Sequence, residues 1–138
     1  MHELLERFIQ SKDTLWVYKD MELIFRSRKE LLIPLLDYIK AFVPRVKDVV
    51  VFDRIVGNAA AVLLEEALCL EVYSPLASQV AVHSLEEFGI SYHFLKIVPN
   101  ILNREGNDIC AMEKLSLGKP PGEFYRAIKN IKGGAGIE

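Results

Sequence analysis

Apolar positions along the chain switch repeatedly between helical and strand spacing, and this alternation predicts an α/β domain. Residues 1–12 place apolar side chains at i, i+1, i+4 and i+5 among charged ones, which predicts a short amphipathic helix. Two segments rich in β-forming residues follow, 14–19 and 22–26, with the polar pair Lys19-Asp20 between them. This pattern is typical of a β-hairpin.

The second arm of the hairpin and the helix after it have clear local signals. Alternation sets Leu23 and Phe25 on one face of the strand and Ile24 on the other. Apolar residues at helical spacing then run to position 42, and two start points are open. The helix begins at Ser27, a suitable N-cap with a glutamate three residues later, or near Pro34, which favours the first helical turn.

An apolar segment at 46–52, unbroken over 49–52, predicts a strand that is covered on both faces, because it lacks the alternation of a half-exposed strand. The polar pair Asp53 and Arg54 ends it. Gly57 then opens a helix whose first turns carry the small residues 59–61. Small side chains at these positions indicate a helix pressed closely against a sheet.

The next segments predict parallel strands joined by helices. A strand over 69–73 is followed by Ser74, which can cap a helix with Pro75 at its first position. Gly89 is suited to end that helix, and 90–98 forms a further strand. Such a β-α-β-α-β run favours parallel pairing through right-handed crossovers.

The remainder predicts a polar loop over 99–108, a short helix that starts at Asp108 or Ile109, and a last helix over 123–131. With 138 residues the chain is long enough for one core, so we expect a single domain over 1–132. The glycine-rich end, 133–138, is expected to be a flexible tail.

Composition narrows the function classes. The formal charge is −2, which gives no push toward nucleic acid or an anionic membrane. The chain has no apolar run long enough to span a bilayer and no secretory apolar core near its start. It has two cysteines, Cys69 and Cys110, which suggests no disulfide framework. A soluble cytoplasmic protein is expected, without nucleic-acid or membrane partners.

The first candidate site is the strand–turn–helix corner, because ligands in open α/β sheets bind beside the carboxyl ends of strands. Its polar members are Asp53, Arg54, Gly57 and Asn58. Asp53 and Arg54 either form a local cap or ion pair, or face a ligand cleft. Gly57 either allows close helix packing or leaves backbone N–H groups free to bind an anion such as phosphate.

Cys110 is the second candidate, as a catalytic thiol. In the first helical turn the helix dipole would favour its thiolate, with Lys114 nearby, whereas the alternative is a buried apolar role. No histidine is placed by sequence to act as its base. Asn103 and Arg104 either satisfy their loop or bind a carboxylate or phosphate. Glu113 and Lys114 are neighbours on a helix and therefore point in different directions.

Two motifs in this order resemble those of a small prokaryotic family classed as a domain of unknown function. They are DRIVGNAAA from position 53 and ILNREGNDICAMEK from position 101, and the similarity covers residues 12–116. Ala111 stands where that family usually has proline, and Asn58 where it often has lysine. The resemblance implies a cytidine-deaminase-like fold: a three-layer α/β/α sandwich whose mixed sheet of about five strands begins with a hairpin and continues with parallel strands.

A zinc deaminase requires a His or Cys beside a catalytic Glu on one helix and a P-C-x-x-C motif at the next. The helix after the hairpin has no His-x-Glu, and 53–58 contains no cysteine. The histidines are scattered over a terminus, a helix and a strand. We therefore expect no zinc deamination, no metal site and no cofactor.

Three functional hypotheses remain. The first is a protein that binds a small molecule or nucleotide-like ligand on a metal-free deaminase-like scaffold. The second is an enzyme that uses Cys110 as a reactive thiol, with Asp53 or Glu113 in acid–base support. The third is a non-catalytic interaction or structural subunit. By analogy with related folds, a homo-oligomer is also expected.

Overall fold

A mixed, open sheet of six strands organises the part of the chain that the computed structural model describes, residues 2–103 and 105–130. Six helices accompany it within those residues. The elements in chain order are α1 (His2–Gln10), β1 (Leu15–Lys19), β2 (Glu22–Ser27), α2 (Ile33–Phe42), β3 (Val49–Asp53), β4 (Ile55–Val56), α3 (Asn58–Glu66), β5 (Cys69–Ser78), α4 (Gln79–Phe88), β6 (Ser91–Val98), α5 (Ala111–Ser116) and α6 (Pro121–Ile128).

The strand order confirms an α/β fold with a hairpin followed by parallel strands. β1 pairs antiparallel with both β2 and β3, whereas β3, β4 and β6 all pair parallel with β5. β3 pairs with the first half of β5 and β4 with its end, so the two lie in line along one edge of β5. The two-residue strand β4 was not predicted, because it is too short to show periodicity.

Helices contact both faces of the sheet. On one face α1 places Leu5 and Phe8 against Phe52 and Tyr73. On the other face the larger core joins Val51 and its neighbours in the sheet to apolar residues of α2, α3, α4 and α6. Strand residues alternate between the two cores, as both-face burial of β3 predicted.

The alternation predicted for β2 is wrong at Ile24. The pairing register moves from Val17 opposite Phe25 to Tyr18 opposite Leu23, so Ile24 is an extra residue in the second arm. Such a bulge removes the strict two-residue period. Ile24 and Phe25 consequently both pack against the larger core.

Helix α2 begins at Ile33 with Pro34 in its first turn, and the Ser27 alternative is wrong. Ser27 is the last residue of β2, and its Oγ accepts a hydrogen bond from the Lys29 N–H at 3.1 Å. Tertiary pairing of β2 with β1 therefore outweighs the local capping signal.

Strand β5 continues past Pro75 to Ser78, so the predicted cap at Ser74 is also wrong. Ser78 caps α4 instead, because its Oγ accepts the Ala81 N–H at 3.0 Å. Pro75 falls in a gap of both ladders, where its missing N–H is tolerated, and the pairing resumes at Leu76. The predicted end of α4 at Gly89, with φ of 74°, is confirmed.

The two C-terminal helices are shorter than predicted. α5 starts at Ala111, after a loop that is closed by an isolated bridge between Leu102 and Ile109. α6 runs from Pro121 to Ile128. The helix ends at Ile128, with Lys129 as its C-cap, so the predicted end at position 131 is wrong. The tail at 133–138 lies outside the described residues. Over the described ranges, none of the helices has the length and apolar character needed to cross a membrane.

Candidate functional site

A cavity of about 280 Å³ lies beside the carboxyl end of β3, between the start of α3, the segment before α2 and the loop that leads into α5. Five residues selected from the sequence as site candidates line it: Asp53, Arg54, Gly57, Cys110 and Glu113. The other described lining residues are Thr14, Glu30, Leu31, Leu32, Ile55, Ala59, Ala60, Ile101 and Met112. The two sequence motifs, about 50 positions apart, therefore meet at one site.

Asp53 is the last residue of β3, and its carboxyl group is held by the turn that follows. The Arg54 N–H donates to Oδ1 at 2.8 Å. Burial raises the pKa of Asp53 to about 7, although the backbone N–H groups of Arg54 and Ile55 act in the opposite direction. The group can therefore exchange a proton near neutral pH.

Glu113, a residue of α5, caps the N-terminus of helix α3. Its carboxylate accepts the N–H of Asn58 at 2.7 Å and that of Ala59 at 2.8 Å. A Cβ on Gly57 would lie 2.3 Å from Glu113 Oε1, so glycine is required for this approach. Burial raises the pKa of Glu113, while the two hydrogen bonds lower it. The N-terminal N–H groups, which the sequence offered to an external anion, are thus engaged by a carboxylate of the same chain.

The side chain of Asn58 connects three helices. Its Nδ2 donates to Ser116 Oγ at 2.8 Å in α5, and its Oδ1 accepts from Ser84 Oγ at 2.5 Å in α4. Only 4% of the residue is exposed. Asn58 is not among the lining residues of the cavity, and its contacts position the elements around it.

The guanidinium of Arg54 is directed at α1 rather than at Asp53. Its nitrogens donate to the carbonyl oxygens of four residues at distances of 2.5–2.9 Å: Phe8, Ile9, Ser11 and Asp13. The same group lies 4.7 Å from the centre of the Phe8 ring. Free carbonyls at a helix C-terminus attract cations, so Arg54 docks the end of α1 onto the sheet.

Cys110 immediately precedes α5 and is half-buried. The prediction that it lies in the first helical turn is wrong, because the helix begins one residue later. The Cys110 N–H donates to Ile101 O at 3.0 Å, which holds the two lining residues together. The other thiol, Cys69, is buried at the start of β5, away from the cavity lining.

The remaining candidates do not join the cavity. Asn103 Oδ1 accepts the N–H groups of Gly106 at 2.9 Å and Asn107 at 3.3 Å, so it satisfies its own loop. Lys114 Nζ donates to Asp108 Oδ2 at 2.6 Å on the surface, pointing away from Glu113 as its helical position predicted. Arg104 lies outside the described residues.

Several lining residues were missed by the sequence interpretation. Thr14 directly precedes the hairpin, and Glu30, Leu31 and Leu32 lie in the segment before α2. No local motif marks them, because they reach the cavity only through packing of α2 and the hairpin beside β3. In residues 2–103 and 105–130, no group of three or more His, Cys, Asp or Glu side chains is arranged to hold a metal ion.

Comparison with known proteins gives a family. The family model for a domain of unknown function, DUF1893, matches residues 4–131. Among solved structures, the chain is similar to the crystal structure of the DUF1893 family protein TM1506 from Thermotoga maritima. The two are 27% identical, the match covers 92% of this chain and 86% of that chain, and the TM-score is 0.78. None of the curated proteins matches this chain.

Proposed function

This chain belongs to the DUF1893 family, and we propose that it binds a small molecule in the cavity beside β3. The observation that carries the proposal is the convergence of Asp53, Gly57, Cys110 and Glu113, drawn from two separate motifs, on one cavity. Binding sites are typically concave and largely apolar, with a few polar groups that fix the orientation of the ligand. The lining has this character.

The walls of the cavity are held by contacts that favour a preformed site. Glu113 joins α5 to the start of α3, and Asn58 joins α3 to both α4 and α5. Arg54 keeps the turn after β3 attached to α1. Sites supported by packed elements and a second layer of hydrogen bonds hold their geometry better than sites on free loops.

Of the parts of a nucleotide-like ligand, the cavity suits the base and does not suit the phosphate. The α3 N–H groups that would bind a phosphate donate to Glu113, and the Arg54 guanidinium donates to backbone carbonyls. The cavity volume of about 280 Å³ also suits a single ring system better than a whole nucleotide.

The metal-free deaminase-like scaffold is part of the same proposal. Its support is the antiparallel hairpin, the four parallel strands after it and the helices against both faces, which suit an α/β/α sandwich. The turn at 53–58, where a zinc deaminase would carry its cysteine pair, has Asp53 and Asn58 at its ends instead.

A thermal-shift screen of metabolites and heteroaromatic fragments tests binding. We expect at least one compound class to raise the melting temperature of the wild type. Ile101→Trp, which places an indole at the cavity wall, should abolish the shift. Leu102→Trp is the matched control, because Leu102 is the next residue in the chain, and its side chain is exposed and does not line the cavity. A complete screen without any stabilising compound, or shifts that persist in Ile101→Trp, would contradict the proposal.

The second candidate function is an enzyme with Cys110 as its nucleophile. It is favoured by one observation: the half-buried thiol lines the same cavity as Asp53, whose carboxyl can accept a proton near neutral pH. The pH dependence of Cys110 alkylation tests it. A rate midpoint well below that of an ordinary thiol, about 8.5, is expected for a nucleophile. A midpoint at or above that value rules the enzyme out.

A further inference from the structure

The described side chains of the cavity offer hydrogen-bond acceptors in excess of donors. The acidic residues Asp53 and Glu30 line it, the second in the exposed segment before α2. The Thr14 hydroxyl directs its proton to the carbonyls of Ser27 and Lys29, which leaves its oxygen to accept. Each of these groups can receive an N–H from a ligand.

The strongest side-chain donor of the described lining, the Arg54 guanidinium, is directed away from it. All three guanidinium nitrogens of Arg54 donate to carbonyls of α1 and the segment that follows it. The Ala59 N–H donates to Glu113, whose carboxylate also takes the N–H of Asn58. The other side-chain donors there are the Cys110 thiol, which is a weak one, and the Asp53 carboxyl while it is protonated. A ligand carboxylate or phosphate would therefore meet side-chain acceptors of its own sign, with the Arg54 guanidinium turned to the carbonyls of α1.

The rest of the lining is apolar and continues to the rim. Leu31 and Ile55 are each 47% exposed at the cavity, although both are large apolar side chains. Leu32, Ile101 and Met112 line it further. Exposed apolar side chains around a concavity mark a surface suited to an apolar or aromatic group.

We propose that the cavity selects small organic cations, in which an amine or amidine on an apolar or aromatic body donates N–H groups to Asp53. This inference rests on the proposed small-molecule function and names the ligand class for the same site. The cation would lie between the Asp53 carboxylate and the apolar rim, with Glu30 adding a second negative charge at the mouth.

The protonation state of Asp53 makes the preference for cations measurable. Burial raises the pKa of Asp53, and a bound cation beside it would lower that pKa again. The other titratable groups around the cavity are Glu30, Glu113 and Cys110, each on a different segment from Asp53, and the Arg54 cation is held on α1. Binding of a cation near neutral pH should therefore release a proton from Asp53.

Four matched fragments test the ligand class: benzamidine, benzamide, benzoate and phenyl phosphate, measured by ligand-observed NMR and calorimetry on the full chain. We expect benzamidine to bind at least tenfold more tightly than benzoate or phenyl phosphate, in line with one charge-assisted hydrogen-bonded pair. Its calorimetric heat should vary with the ionisation enthalpy of the buffer, as proton release requires. Asp53→Asn should weaken benzamidine about tenfold and leave neutral benzamide within about threefold.

The outcomes test the preference for cations separately from the existence of the small-molecule site. Benzoate or phenyl phosphate binding as tightly as benzamidine, with loss in Ile101→Trp, would overturn the cation preference and leave the small-molecule site standing. Benzamidine affinity unchanged in Asp53→Asn would also overturn it. If none of the four fragments binds at millimolar concentration, the cation preference is wrong, and the wider screen decides on the site independently.

Discussion

The carboxylate of Glu113 occupies the space in which a side chain at Gly57 would begin. A Cβ at position 57 would lie 2.3 Å from Oε1 and 2.6 Å from Oε2, well inside any tolerated contact. The same carboxylate accepts the N–H of Asn58, 55 positions away in the chain. The glycine and the glutamate, one from each sequence motif, are therefore two halves of a single helix cap.

Gly57→Ala should destabilise the protein by about 2–4 kcal/mol, because the methyl group displaces Glu113, removes the α3 cap and leaves a buried carboxylate without its partners. Urea unfolding measures the loss. The control is Gly122→Ala in α6, whose Cβ would meet the end of the flexible Arg126 side chain at 3.2 Å and Glu66 Oε2 at an ordinary 3.9 Å. Alanine at that helical position should be neutral or stabilising by up to about 1 kcal/mol.

A double-mutant cycle identifies Glu113 as the cause. The cost of Gly57→Ala should be smaller in a Glu113→Ala background than in the wild type, since the clash and the cap are already gone. Equal costs in both backgrounds, or a Gly57→Ala variant as stable as the wild type, would show that the cap is not coupled to the glycine.

Asp53→Asn should remove a specific pH dependence of stability. A carboxyl group whose pKa rises from 3.8 to about 7 on folding binds its proton more tightly in the folded state. Its contribution to stability is therefore full below about pH 4 and is lost as the pH rises to about 7. Relative to Asp53→Asn, the wild type should lose about 1–3 kcal/mol over this range, reduced from the full value by partial exposure.

Urea unfolding of both proteins between about pH 4 and 8 checks this difference. The neighbouring carboxyl groups of Glu30 and Glu113 are present in both proteins, so their titration cancels in the comparison. A difference in unfolding free energy that stays constant with pH would mean that Asp53 keeps an ordinary pKa in the folded protein.

Arg54→Lys should destabilise the protein by about 2–4 kcal/mol, because an ammonium group cannot donate to four carbonyls spread along the end of α1. Arg28→Lys is the control, since the Arg28 side chain is 66% exposed in its ion pair with Asp13. Lysine keeps the positive charge at this largely exposed position, so the loss should be about 1 kcal/mol or less. Hydrogen exchange should show faster opening of α1 in Arg54→Lys alone. Similar losses in the two variants would contradict a docking role for Arg54.

Alkylation of the native protein should modify Cys110 and spare Cys69. Cys110 is half-buried at the cavity, whereas Cys69 lies buried in the larger core and burial raises the pKa of its thiol. Mass spectrometry after a short iodoacetamide exposure should find one modified site, and none in Cys110→Ser. Any ligand from the screen should slow the reaction. Modification of Cys69 at a comparable rate, or no protection by a bound ligand, would contradict this assignment of the cavity.

The local elements were predictable because their signals are contained in short stretches. Periodicity located α1 and the hairpin, and Gly57 and Gly89 marked a helix start and a helix end. The corner at 53–58 was identified as a candidate site for the same reason, since a strand that stops at polar residues before a small-residue helix is a local pattern.

The contacts that each residue makes in the folded protein could not be deduced in the same way. Asp53 and Arg54 are adjacent in sequence and both line the cavity, yet the Asp53 carboxyl stays on its own turn and the Arg54 guanidinium reaches α1. The strand through Pro75 and the bulge at Ile24 depend on ladders supplied by other strands. Ser27 and Ser74 are both suitable helix caps by their local sequence. Strand pairing in the sheet was more favourable than capping, so both residues lie in strands.

The sequence by itself determined the α/β class, the order of most elements and the two motifs that carry the site, because local spacing decides which backbone can form and which face is apolar. Only the tertiary structure decided that Glu113 caps α3 and that Cys110 shares a cavity with Asp53. Those relationships join residues more than 50 positions apart. Their energies come from close packing and desolvation, which exist only once the chain has folded.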